Sequence, residues 1–91
     1  MTRAIRHNED QHRFEWTEDG HLCVLEYTLA DGEIFFTYTG VPVPVEGRKI
    51  AADMVQAGLG MARARGLRVH PVCSYVSAYI RRHPAERDLL A

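Results

Sequence analysis

Apolar and polar residues alternate through "HRFEWTEDGHLCVLEYTLADGEIFFTYTG", where Asp19-Gly20 and Asp31-Gly32 separate three runs rich in aromatic and branched side chains. Phe14 and Trp16 alternate with polar neighbours in the first run. In the second, Leu22 and Val24 oppose Cys23, Leu25 and Tyr27; in the third, Ile34, Phe36 and Tyr38 oppose Phe35, Thr37 and Thr39. A period of two is the signature of a strand, and Asp-Gly supplies the positive φ angles of a tight hairpin. The pattern predicts a three-stranded antiparallel meander.

Beyond it, "GVPVPVEG" (Gly40 to Gly47) cannot continue as a central strand, because Pro42 and Pro44 have no amide hydrogen to donate. It reads as a strand exit and a loop. From Arg48 to Arg65 the apolar positions Ile50, Met54, Val55, Gly58, Met61 and Ala62 recur at three- and four-residue spacing, and Gly66 sits where a C-cap glycine belongs, which predicts an amphipathic helix. Gly58 and Gly60 each cost about 1 kcal/mol relative to alanine inside it, so close approach to a sheet is a reason for their presence. "LRVHP" gives a short strand. Ser74 to Arg82 gives a second helix with Val76, Tyr79 and Ile80 on one face, ended by His83-Pro84.

The order is β-β-β-α-β-α, an α/β (α+β) arrangement in which a right-handed crossover makes the last strand parallel to the third. Ligands of such mixed sheets collect at the carboxyl ends of the parallel strands and at the start of the crossover helix. Here those places are Thr39 to Val45, Gly47 to Ala52, and His70 to Tyr75.

With 91 residues there is room for a single domain, residues 1–91, and one modest core. The opening "MTRAIRHNED" has no apolar signal-peptide core and no run approaches the ~20 apolar residues of a membrane span. A cytoplasmic protein with no membrane role is expected. Two unpaired-looking cysteines, Cys23 and Cys73, indicate neither a disulfide scaffold nor a zinc site, so no metal is expected. The net charge of −1 argues against nucleic acid as a partner, yet residues 1–46 carry −6 and residues 47–91 carry +5. The basic second half could receive an anionic ligand, or its cations could be solvated helix faces. The chain does not disclose its oligomeric state.

Gly47, Arg48 and Lys49 in "VEGRKIAA" open the long helix, where free amides and the positive helix end favour phosphate. A plain helix start with solvated cations fits as well. Cys73 falls at a strand-to-helix turn, next to Ser74, where free amides lower a thiol pKa. A small, partly buried turn residue is the alternative. His70 could accept a proton from an amine, or be a surface histidine of an edge strand. Tyr75 and Tyr79, at helical spacing, read on their own as packing residues. His7, His12 and His21 read as surface residues.

The words "FFTYTGVP", "EGRKIA" and "ARARGLRVHPVCSYVSAYIRRHPAERDLL" together resemble the minimal, single-domain branch of the GNAT acyltransferase superfamily over nearly the whole chain. The resemblance implies a mixed sheet with helices on its faces, acetyl-CoA as cofactor, and a helix-opening loop whose amides hold the CoA pyrophosphate. In that loop Glu46 falls where Arg or Gln is usual, Lys49 where a tight glycine is usual, and Ala51 on the last small position. Val41, Val43, Gly47, Arg48, Lys49, Ile50, Ala51, Ala52 and Ser74 are then the cofactor-facing positions. Cys73 would lie at the thioester end, with His70 and Tyr79 as further catalytic candidates; the resemblance gives a helix tyrosine, Tyr75 or Tyr79, the role of protonating the departing CoA thiolate. The implied activity is acetyl transfer to an amine acceptor that the sequence does not name. Acidic residues such as Glu15, Glu18, Glu26 and Glu33 could attract a cationic amine, or simply be a solvated sheet face. An acyl-CoA-binding or protein-interaction module with little turnover is the alternative, supported by Glu46 and Lys49.

Overall fold

The computed structural model describes residues 3–91. Five strands form one sheet in the order β1 (Arg6–Asn8), β2 (Arg13–Glu18), β3 (His21–Ala30), β4 (Glu33–Gly40) and β5 (Arg68–Pro71). The first four are antiparallel neighbours, and β5 runs parallel to β4. Helix α1 (Ile50–Ala64) makes the crossover and α2 (Ser74–Arg82) follows β5. The expected β-β-β-α-β-α order is therefore present, preceded by the three-residue β1, which is too short to show a period.

Both hairpins turn on the Asp-Gly pairs. Asp19 and Gly20 have φ of 49° and 77°, and Asp31 and Gly32 have 41° and 79°, so both central residues of each turn are left-handed, as a tight two-residue hairpin loop requires. The C-terminus of α1 also ends as its glycine suggests. Gly66 lies at φ 66°; its amide donates to the Arg63 carbonyl at 3.2 Å and that of Leu67 to the Ala62 carbonyl at 2.8 Å, the paired bonds of a Schellman cap.

Phe14, Cys23, Leu25, Ile34 and Phe36 point to the side of the sheet on which α1 lies, and Met54, Val55, Leu59 and Ala62 of the helix close over them. Val76 and Ile80 of α2 join the same core, so both helices cover one face. Leu59 belongs to the buried stripe, whereas Met61 stays at its margin. The two helix glycines differ: a Cβ on Gly58 would come within 2.9 Å of Phe36 Cε1 and 3.1 Å of Leu25 Cδ2, while one on Gly60 would meet nothing within 4 Å.

The other sheet face is solvated and mostly polar. Arg13 and Asn8 hold the nearly buried Glu15, and His70 stacks on Phe35 with centroids 4.2 Å apart. Outside β5 the chain end shields the edge, with an isolated bridge between Val69 and Leu90. One surface assignment needs correcting. His7 stacks on Phe14 at 4.2 Å and its Nε2 lies 2.6 Å from the Tyr27 hydroxyl, half-buried on the core side of β1.

Candidate functional site

Strands β4 and β5 pair only from Glu33↔Arg68 to Phe36↔Pro71. Opposite β3, Tyr27 faces Phe36 but Glu26 faces Tyr38, so Thr37 is an extra residue, a β-bulge in β4. The amide of Cys73 closes the parallel ladder by donating to the Phe36 carbonyl at 2.8 Å, after which α2 leads the chain away. From Thr37 to Gly40, β4 has no strand on its β5 side among the described residues. The sheet has split open at the carboxyl ends of its two parallel strands, the place where such sheets collect ligands.

The split opens into a cleft of about 500 Å³. Thr39, Gly40 and Val41 form one wall, the segment Val45 to Ala51 another, and Tyr38 and Tyr75 the rim. Tyr38 lies back over Gly40, where a Cβ would come within 2.7 Å of its hydroxyl. Val45 is buried and anchors the loop as the last residue of a 3-10 turn, Val43–Val45, that follows Pro42. Gly47 at φ 79° and Lys49 at φ 65° then turn the chain into α1. Lys49 is the helix N-cap but gives no side-chain capping bond, so the first amides of α1 are left for another acceptor. It is also the only lysine of the chain.

Of the sequence-derived positions, Val41, Gly47, Arg48, Lys49, Ile50 and Ala51 come together on this cleft. Val43 is 78% exposed and stands away from it. Ala52 faces a second groove of about 500 Å³ between α1 and α2, beside Lys49, Asp53, Tyr75 and Tyr79. Arg48 is turned to the β2–β3 hairpin: its Nη1 donates to Asp19 Oδ2 at 2.7 Å and to Glu18 Oε2 at 3.2 Å. Three of the four carboxylates considered for an amine are engaged as well, Glu15 with Arg13, Glu18 with Arg3 and Arg48, and Glu33 with His70.

Cys73 is the N-cap of α2, with Ser74 at the first helical position, directly behind the Thr39 wall. Its Sγ lies 3.3 Å from Thr39 Oγ1. Partial burial pushes the thiol pKa up, but the Thr39 hydroxyl and the amides of Val76 and Tyr75 favour the thiolate more strongly, and the net shift is down. Cys23, fully enclosed in β3, is pushed up by burial. The two thiols thus differ in the direction that chemistry at Cys73 would need.

The structure keeps the other candidates apart from this pair. His70 is on the solvated face, its Nε2 3.0 Å from Glu33 Oε1. Tyr79 stacks on His83, with centroids 3.9 Å apart, in the groove between the helices, and burial raises its pKa. Tyr75, one turn earlier, is the helix tyrosine that reaches the cleft; burial raises its pKa too. Thr39 lies in a stretch where the sequence expects ligands, but nothing there announces its contact with Cys73. Its alignment with Cys73 depends on the bulge at Thr37, which no periodicity reveals.

Residues 13–89 match the family model described as GCN5-related N-acetyl-transferase. No curated protein matches the sequence. Among solved structures, the NMR solution structure of a GCN5-like protein from Staphylococcus aureus is similar in fold, with a TM-score of 0.76 at 21% identity, covering 96% of this chain and 86% of that one.

Proposed function

The chain belongs to the GCN5-related N-acetyltransferase family, and from that premise we propose that it binds acetyl-CoA in the cleft between β4, the α1 loop and the start of α2, and transfers the acetyl group to an amine. The observation that carries this reading is the split itself. It leaves a free strand edge and the first amides of α1 beside one open cleft, with a thiol of lowered pKa directly behind its Thr39 wall.

Each part suits a part of that cosubstrate. The free edge from Thr37 to Gly40 can exchange backbone hydrogen bonds with an extended, amide-bearing arm. The amides that follow Gly47, together with Lys49, suit a pyrophosphate. The bound molecule supplies an activated acetyl thioester. Cys73 Sγ, as thiolate, is the group that can take the acetyl: its lone pair forms the new S–C bond, the thioester C–S bond breaks, and the CoA thiolate leaves with the proton that the solvent or Tyr75 provides. The acceptor nitrogen then attacks the acetyl-cysteine carbonyl, loses a proton and restores the thiolate. Thr39, bonded to Sγ, orients the thiol.

The second reading, an acyl-CoA-binding module with little turnover, draws on Lys49, a bulky residue in a left-handed conformation at the loop where the family's glycine is usual. Intact-protein mass spectrometry after mixing with acetyl-CoA, run with a transfer assay on polyamines and lysine peptides, separates the readings. A transient acetyl adduct on Cys73 with turnover supports the cysteine route. Turnover retained in Cys73→Ser points to direct transfer to the amine, and binding without either adduct or turnover to the module.

A further inference from the structure

Arg48 does not stand alone at the cleft. Its partner Glu18 also accepts from Trp16 Nε1 at 2.8 Å and from Arg3 Nε at 3.4 Å, and Arg3 Nη1 donates to Asp53 Oδ2 at 2.8 Å. Two guanidiniums therefore meet three carboxylates beside the loop, and the cluster is net negative. Glu18 is held down to about 2 by the hydrogen bonds of Trp16 and Arg3, so it stays ionised throughout the neutral range. The Arg48 side chain is nevertheless 42% exposed and lines the cleft. Lys49, the next residue, joins no ion pair among the described residues.

We propose that the β2–β3 turn acts as an internal counter-anion to Arg48, competing with the ligand's phosphates for this guanidinium, so that Asp19 limits the cleft's affinity for anions and Lys49 is the cation left to meet them. The inference rests on the reading of the cleft as a CoA site. A phosphate that approaches Arg48 has to share or displace two carboxylates, and it meets their repulsion as well. Exposed pairs of this kind are individually weak, so the competition tunes affinity and does not switch binding off. A device of this sort suits a site that must release CoA as readily as it takes up acetyl-CoA.

Asp19 is the member to change. It is two-thirds exposed, and its side chain meets Arg48. Its φ of 49° is one that asparagine adopts as readily as aspartate, so Asp19→Asn preserves the turn and leaves Trp16, Glu18 and Arg3 in place. Calorimetry at low salt on the wild type, Asp19→Asn, Arg48→Gln and the double variant, with CoA and with inorganic pyrophosphate, tests the proposal. Asp19→Asn is expected to lower the Kd for both probes about two- to five-fold, and that gain should largely vanish in the Arg48→Gln background. Unchanged or weaker binding by Asp19→Asn overturns it. So does an equal gain in both backgrounds, which would mean simple repulsion without competition for Arg48. If the wild type binds neither probe, the reading of the cleft itself fails and this inference with it; wild-type binding that Asp19→Asn does not alter overturns this inference alone.

Discussion

Lys49 holds a left-handed backbone, φ 65° and ψ 23°, at a cost that only glycine escapes. Lys49→Gly should leave the protein as stable or up to about 1 kcal/mol more stable, since relief of strain is partly offset by the greater freedom of glycine in the unfolded chain. If the ammonium meets phosphate, the same change should weaken CoA binding about tenfold, the scale of one charge-assisted hydrogen bond. Thermal melts and calorimetry on one preparation read the two effects, and tighter binding would mean that the side chain only obstructs the loop. His7 gives a second test at this scale. Burial lowers its pKa, so on acidification the unfolded chain takes up this proton first, and the contribution to stability is complete above the ordinary histidine pKa and lost as pH falls below it. The melting temperature should therefore drop between about pH 7 and pH 5. In His7→Phe that drop should shrink, at the expense of about 1 kcal/mol at neutral pH for the Tyr27 hydroxyl left without its partner; an unchanged pH profile would put the titration elsewhere.

At the scale of elements, the two glycines of α1 form a matched pair. A methyl on Gly58 would strike Phe36 and Leu25, forcing the helix off the sheet, so Gly58→Ala should lose about 1–3 kcal/mol despite alanine's better helix propensity. Gly60 faces open space, so Gly60→Ala should gain about 0.5–1 kcal/mol. Chemical denaturation of both variants checks the contrast, and equal effects would mean that α1 does not pack as described. The elements themselves were largely legible. Asp-Gly turns, the period-two runs as far as Phe36, the stripe of α1, its glycine cap and the span Ser74–Arg82 all follow from local rules that the chain obeys; Tyr38, which the alternation sets beside Ile34 and Phe36, is instead exposed at the cleft rim, because the bulge at Thr37 breaks the period. What escaped is non-local. The strand β1 has too few residues for a period, the half-buried His7 depends on what β2 and β3 place against it, and the ion pairs of Arg48 join residues about thirty positions apart. A helix-start cation looks the same in sequence whether it faces solvent, a phosphate or a hairpin.

At the scale of the whole molecule, the site is a consequence of topology. A meander on one side and a parallel crossover on the other leave β4 as the shared strand, and the bulge at Thr37 is where it parts from β5. The positions along "VPVPVEGRKIA" could be proposed from sequence because they lie on the loop that enters the crossover helix. Thr39 fell within the stretch the sequence offered, but its contact with Cys73, and the closing of Tyr38 over Gly40, could not be proposed, since they appear only once the strands have separated. The central claim is that acetyl-CoA occupies this split, and amide chemical-shift mapping during titration with CoA tests it most directly. The account expects the changes to concentrate on Thr37 to Val41, Gly47 to Ala52 and Cys73 to Tyr75, with the solvated sheet face around Arg13, Glu15 and Thr28 undisturbed. Changes confined to that outer face or to the β1–β2 end, or no changes at millimolar CoA, would contradict it.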